Sequence, residues 1–278
     1  MTANRFGGAW TADKLAVLDE YLGFYTQALK AQPFQLLYID AFAGTGRCHV
    51  RDGTAAGALI EGSASRALNL ERPFDRYHFI EPKAAHRLEL QALVDAHPRG
   101  ALCQLHPGTA QDLLPFLLRG PDWRNSRGVL FLDPFGLQCD WPLLQQVAST
   151  KALDVFFLLS LSGLYRQAAV QQQDLNPGHA GKLDRVFGTD AWRSALYVRR
   201  QGDLFGDDQV SRDPGWHALL AFAQTRLGTA FPYVSEPRLL GTANGAPLFA
   251  LFFMVANPSR KARELAQRVS REILVKLR

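Results

Sequence analysis

Cysteine is scarce in this chain. Cys48, Cys103 and Cys139 stand far apart among 278 residues and form no C-x-x-C pair. That argues against a zinc site built on paired cysteines and against a disulfide framework. The histidines are scattered without H-E-x-x-H or H-x-H spacing, so no metal centre is expected. Neither G-x-S-x-G nor G-x-x-x-x-G-K-[ST] occurs, which removes the serine-hydrolase elbow and the P-loop. No apolar run is long enough to span a bilayer. The opening residues, Met1-Thr2-Ala3-Asn4-Arg5-Phe6-Gly7-Gly8, hold no hydrophobic signal-peptide core, so a cytoplasmic protein with no membrane partner is expected. No internal repeat is visible.

What is present is an ordinary globular composition, 47% hydrophobic and 21% charged, with a net charge of +5. The charge is uneven. Residues 1–181 carry 16 Lys and Arg against 17 Asp and Glu, whereas residues 182–278 carry 15 against 9. The basic excess in the last third suits a polyanion such as nucleic acid, and it also suits a plain solvated surface.

Periodicity divides the chain into alternating helices and strands. Leu15, Leu18, Leu22, Tyr25 and Leu29 recur at helical spacing over residues 10–30, and Thr11 can cap that start. Apolar runs at Leu36–Asp40, Tyr77–Glu81, Ala101–Leu105, Gly128–Leu132 and Val155–Leu159 read as strands. Helices are expected from Ser63 or Ser65 to Leu70, over Ala84–Ala96, Asp112–Leu118 and Trp141–Ser149, and over His217–Arg226. Residues 47–61 read as an irregular, glycine-bearing insertion. Residues 160–215, rich in Gln, Asp, Gly and Arg, read as an elaboration. Tyr233–Leu239 and Leu248–Val255 read as two strands joined by a turn at Thr242-Ala243-Asn244-Gly245, since Asn-Gly favours tight hairpins. Arg260–Leu277 reads as a basic amphipathic helix. The expected fold is therefore α/β: one domain over 1–278, with a helical extension at 1–35, a mostly parallel sheet covered by helices on both faces, and a C-terminal antiparallel hairpin.

Three of these strands end in an acid. The first runs into Asp40-Ala41-Phe42-Ala43-Gly44-Thr45-Gly46. A parallel strand that stops at a glycine turn presents a nucleotide-sized ligand at its carboxyl end. Gly44 and Gly46 allow close backbone approach, which a Cβ would prevent. The dinucleotide fingerprint would need a third glycine where His49 stands. The turn, with Phe42 inside it, instead resembles motif I of class I S-adenosylmethionine (SAM) methyltransferases, in which Asp40 can meet the cationic end of SAM. Glu81 ends the second strand, where one carboxylate suits two adjacent ribose hydroxyls. It lies further from Gly46 than the usual gap of roughly 20 residues, and the 47–61 insertion accounts for the excess. After the third strand, Thr109 and Asp112 stand where methyltransferases often place a polar residue against the adenine amine. A helix-capping role for Asp112 is the competing reading.

Asp133-Pro134-Phe135-Gly136 follows the fourth strand. It resembles motif IV of amino-group methyltransferases, written (D/N/S)-P-P-(Y/F), one residue short, and the same string occurs in tRNA guanine-N2 methyltransferases. An exocyclic amine is a poor nucleophile until an acceptor holds one of its N–H groups and its lone pair is aimed at the methyl group. Asp133 would be that acceptor and Phe135 a platform on which a base stacks, with Pro134 shaping the turn. A bare strand-to-helix turn is the competing reading. Cytosine-C5 chemistry is set aside, because no Cys follows a Pro. Cys48 reads as a small packed residue, and Trp141, Trp192 and Trp216 as packing groups.

Taken together, several segments resemble the three-Cys-motif partner (TcmP) family. They are Lys14-Leu15…Leu18…Tyr21-Leu22…Tyr25, Tyr38–Gly46, Phe79-Ile80-Glu81-Pro82, Phe131–Gly136, Phe187-Gly188-Thr189…Trp192, and Leu248–Phe253 with Asn257-Pro258…Lys261-Ala262. The resemblance implies a class I methyltransferase-like fold and a companion protein carrying a C-x-x-x-C-x-x-C cluster of radical-SAM or phage-related type. Two functions stay open at this level. One is a SAM-dependent N-methyltransferase acting on a nucleic-acid base. The other is a methyltransferase-like scaffold for the companion.

Overall fold

The computed structural model describes residues 9–50, 58–200, 209–212, 215–241 and 247–275. The chain opens with α1 (Ala9–Ala28), β1 (Gln35–Asp40), β2 (Arg47–Val50), β3 (Ala58–Glu61), α2 (Ser63–Asn69), β4 (Arg76–Ile80), α3 (Ala84–Asp95), β5 (Cys103–His106), α4 (Ala110–Leu117), β6 (Ser126–Leu132), α5 (Trp141–Ser149) and β7 (Leu153–Ser160). It continues through α6 (Leu161–Gln167), α7 (Pro177–Phe187), α8 (Trp192–Leu196), β8 (Tyr197–Arg200), β9 (Gln209–Arg212), α9 (His217–Gly228), β10 (Tyr233–Val234), β11 (Arg238–Gly241), β12 (Pro247–Val255) and α10 (Arg260–Val275).

Eight strands form one sheet in the order β10-β12-β7-β6-β1-β4-β5, with β11 also pairing β12. Strands β1, β4, β5, β6 and β7 are parallel neighbours, and β12 runs antiparallel to β7. This is an α/β, Rossmann-like sheet, mostly parallel, with antiparallel C-terminal strands. It follows from strands that are apolar on both faces. On β6, Val129 and Phe131 enter one core layer with α1, α2, α3 and α10. Leu130 and Leu132 enter the other, with α4, α5, α7 and α9. Such alternation is what a sheet covered on both sides demands. Gly128 of β6 is required by crowding, since a Cβ there would lie 2.8 Å from the Leu37 carbonyl oxygen.

Helix α1 is fastened to the sheet by polar as well as apolar contacts. Leu18, Tyr21, Leu22 and Tyr25 are buried, and the Tyr21 hydroxyl donates to Asp154 Oδ2 of β7 at 2.5 Å. Helix α10 buries Ala266, Val269, Ser270 and Ile273, a three-to-four-residue stripe that leaves its basic residues outward.

Some expectations change. Helix α1 already runs through Thr11, whose buried hydroxyl oxygen finds no hydrogen-bond partner among the described residues, so Thr11 does not cap it. The described ends of the 47–61 insertion are not irregular: β2 and β3 pair as an antiparallel ribbon. The expected strand 233–239 is broken at Ser235, whose N–H donates to the Phe253 carbonyl and whose Oγ accepts the Phe253 N–H. Two short strands, β10 and β11, result, and Pro237 between them has no N–H for a ladder. The turn at Thr242-Ala243-Asn244-Gly245 lies outside the described residues. Residues of the 160–215 elaboration, including Leu183, Phe187 and Trp192, share the second core layer, and a further antiparallel ribbon, β8–β9, follows them. No helix among the described residues is long and apolar enough to cross a membrane.

Candidate cofactor and target site

Parallel pairing sets the carboxyl ends of β4, β1 and β6 side by side, so Glu81, the Asp40 turn and Asp133 converge. Asp40 is fully buried. Its Oδ1 accepts the Phe42 N–H at 3.1 Å and its Oδ2 accepts the Ser63 hydroxyl at 2.5 Å. Burial pushes this carboxyl up from the usual 3.8 to about 6, and the bonds from Ser63 and Phe42 oppose the rise. The sequence suggests a carboxylate facing a cationic ligand. The two bonds, one on each carboxyl oxygen, tie Asp40 to the turn at Phe42 and to Ser63 at the start of α2. Phe42 is half-buried and packs on the core.

The turn itself needs its glycines. Gly44 has φ +61° and Gly46 φ +76°, the left-handed region that L side chains resist. They differ in surroundings. Among the described residues a Cβ on Gly44 would meet nothing within 4 Å, whereas one on Gly46 would lie 3.0 Å from Leu93 Cδ1 and 3.1 Å from Leu90 Cδ1 on α3. Gly46 therefore serves packing, and Gly44 borders open space.

Glu81 is tied to this turn. Its Oε2 accepts the Gly44 N–H at 3.1 Å and its Oε1 accepts the Lys83 N–H at 2.8 Å. His86 Nδ1 stands 3.5 Å from Oε1. The carboxylate is nearly buried, yet each oxygen has a lone pair beyond the one its backbone N–H occupies.

Thr109 and Asp112 satisfy each other. The Asp112 N–H donates to Thr109 Oγ1 at 3.2 Å, and the Thr109 hydroxyl donates to Asp112 Oδ2 at 2.6 Å. Thr109 is thus the N-cap of α4, and Asp112 supports it from the third position. Beside them stands a residue the sequence did not single out. The Gln111 side-chain oxygen is buried and, among the described residues, has no hydrogen-bond partner.

At the end of β6, Pro134 is buried and Phe135 is 74% exposed. Gly136 turns the chain at φ +75°. Asp133 is ion-paired with Lys14 of α1, whose side chain is 6% exposed. The Lys14 ammonium also lies 5.4 Å from the Trp10 ring and 6.0 Å from the Phe131 ring. In the sequence Lys14 stands only at the head of a segment of the family resemblance, Lys14-Leu15…Leu18…Tyr21-Leu22…Tyr25, with nothing to mark it as a partner of Asp133. Cys48 on β2 is half-buried, and burial raises its thiol above the ordinary range. Among the described residues no three His, Cys, Asp or Glu side chains gather to hold a metal ion. Trp192 is buried with its Nε1–H on Asp184, and Trp141 is buried under Arg226.

Among known proteins, one solved structure supports the fold. No family model matches the chain, and no curated protein matches it. Among solved structures, a Legionella pneumophila protein of family model DUF519 is similar with a TM-score of 0.50 at 14% identity, covering 96% of this chain and 92% of that one. The methyltransferase domain of bacterial CtHen1 gives a TM-score of 0.39 at 11% identity, covering 86% and 98%. The glycopeptide N-methyltransferase MtfA gives 0.38 at 11% identity, covering 84% and 86%. At 14% identity the likeness to the Legionella pneumophila protein extends to the fold alone.

Proposed function

We propose that the chain is a SAM-dependent N-methyltransferase acting on an amino group of a nucleic-acid base. The observation that carries the reading is the joining of three strand ends. The Gly44 N–H ties the glycine turn to Glu81 on one side of β1, and Asp133 with the exposed Phe135 stands on the other.

The residues present fit SAM. Gly44 leaves open space where a side chain would intrude. The remaining lone pairs on Glu81 suit a ribose diol. The buried, unpartnered oxygen of Gln111 is an acceptor that an adenine amine would satisfy. When bound, SAM supplies an electrophilic methyl group on a sulfonium centre. Asp133 would accept one N–H of the target amine and orient its lone pair, while Phe135 would stack on the base. The exposed Arg260, Lys261, Arg263, Arg268 and Arg271 of α10 would meet phosphates.

One observation favours a second reading. Lys14 already occupies one oxygen of Asp133, as it would in a scaffold that never binds a target. On this reading the chain serves the three-Cys-motif companion that the sequence resemblance implies. Calorimetry with SAM and transfer of a labelled methyl group to bulk DNA or RNA separate the two. The enzyme reading expects SAM binding that Glu81→Ala abolishes. It also expects methyl transfer that Asp133→Ala abolishes while SAM still binds. Absence of SAM binding by the unaltered protein sinks it, and binding without transfer favours the scaffold.

A further inference from the structure

The methyltransferase reading, on which this inference rests, leaves the Lys14 ammonium without a task. An ammonium carries three N–H donors. Among the described residues Lys14 gives one of them to Asp133 Oδ2, and the other two have no hydrogen-bond acceptor. The group is nonetheless almost wholly buried. A desolvated cation short of acceptors is unfavourable, and a ligand atom that accepts from it removes that cost. Its neighbours, the rings of Trp10 and Phe131, attract the cation but accept no conventional hydrogen bond. The missing acceptor therefore belongs beside Asp133, the residue assigned to hold the target amine.

We propose that Lys14 and Asp133 act as a donor–acceptor pair that selects a base whose Watson–Crick edge shows an amino group next to an unprotonated ring nitrogen, as in adenine and cytosine. Asp133 accepts from the amine, and Lys14 donates to the adjoining ring nitrogen: N1 of adenine or N3 of cytosine. Guanine fails this test. On that edge its amine adjoins N1–H, so Lys14 would face a donor. Its other flanking nitrogen, N3, lies beside the glycosidic bond and the sugar. A site built to hydrogen-bond one edge rejects a base that leaves a buried polar group unpaired. The Asp-Pro-Phe-Gly string by itself leaves guanine open, and Lys14 is what closes it.

The test uses the whole chain with labelled SAM, and with unmodified transcribed RNA and amplified DNA that contain all four bases. Digestion to nucleosides locates the label. It is expected on N6 of adenine or N4 of cytosine, and the two polymers in separate arms distinguish RNA from DNA. Lys14→Met is expected to lower kcat/KM by roughly tenfold to a hundredfold, the effect of losing a hydrogen bond to a charged group, with SAM affinity within about threefold of the original. A second measurement leaves the protein untouched. Replacing the target by its 1-deaza or 3-deaza analogue, which lacks the ring nitrogen, is expected to give the same loss, and Lys14→Met to add little on that substrate. Label on guanine overturns the inference and leaves the methyltransferase reading standing, as does a deaza substrate that works as well as the natural one. A Lys14→Met protein that loses SAM affinity but not turnover at saturating SAM assigns Lys14 to the cofactor and also overturns it. SAM binding with no transfer to any base overturns it too. Absence of SAM binding by the unaltered protein removes both the inference and the reading beneath it.

Discussion

Replacing Gly44 and Gly46 by alanine, one at a time, separates a ligand bed from a packing constraint. Both residues sit at positive φ, so each alanine carries backbone strain of about 1–2 kcal/mol. Beyond that the positions diverge. At Gly46 the new methyl group presses on Leu90 and Leu93 at 3.0–3.1 Å. Those are ends of flexible side chains, and moving them adds about 1 kcal/mol, the low end of overpacking costs. At Gly44 the methyl group meets no atom of the described residues within 4 Å and projects into the space assigned to SAM. Urea unfolding without ligand should show Gly46→Ala less stable than Gly44→Ala by about 1 kcal/mol. Calorimetry with SAM on the folded proteins should show the reverse order. Gly44→Ala should lose at least about tenfold in affinity, or roughly 1.4 kcal/mol, while Gly46→Ala stays within about threefold. Unchanged SAM affinity in a folded Gly44→Ala protein would refute the claim that this turn is the bed of the ligand.

Other expectations follow from the buried charges and exposed rings. Burial pushes the Asp154 carboxyl up from the usual 3.8 to about 7, against the bond from Tyr21. The folded state then holds a proton that the unfolded state has released, so stability should fall as pH rises from about 4 to about 7 and level off above. Asp154→Asn should flatten much of that slope in denaturant titrations across this range and leave the part due to Asp40. Asp133→Ala strands the buried Lys14 ammonium and should cost about 3 kcal/mol, a loss that Lys14→Met in the same chain should largely restore. A double-mutant cycle by chemical unfolding reads this directly, and strictly additive losses would contradict the pairing. Phe135→Ala should leave the melting temperature unchanged, because the ring is exposed, yet raise KM for the nucleic acid several-fold, in keeping with about 1 kcal/mol of lost stacking. If α10 meets phosphates, replacing Arg260, Arg263 and Arg268 by glutamine should weaken binding and lower the salt slope by about three.

Much of the architecture could be read from the chain because the strands are buried on both faces. Runs such as Val129–Leu132 and Val155–Leu159 are apolar without interruption and end at polar residues, which marks both their type and their direction. The glycine turn was legible for a similar reason: glycine takes positive φ angles without the strain other residues carry there. The connections were less legible. Strand pairing in the β2–β3 ribbon depends on partners across a loop rather than on local pattern. The break at Ser235 depends on the Phe253 backbone, eighteen residues later. The division of labour inside the site was hidden in the same way. Nothing local says that Asp40 turns inward to Ser63, twenty-three residues away. Nor does anything local say that a lysine on α1 reaches Asp133, more than a hundred residues later. Periodicity places a residue on a face, but long-range packing decides which charge it meets there.

The central claim is that the strand ends carrying the Gly44 turn, Glu81 and Asp133 bind SAM, with Glu81 on its ribose. The most direct measurement is a crystal structure of the protein with S-adenosylhomocysteine, the demethylated product. The account predicts the ribose hydroxyls on the Glu81 carboxylate, the chain passing over Gly44, and the sulfur directed toward Asp133. Density for the ligand elsewhere, or none at these strand ends at saturating ligand, would contradict it.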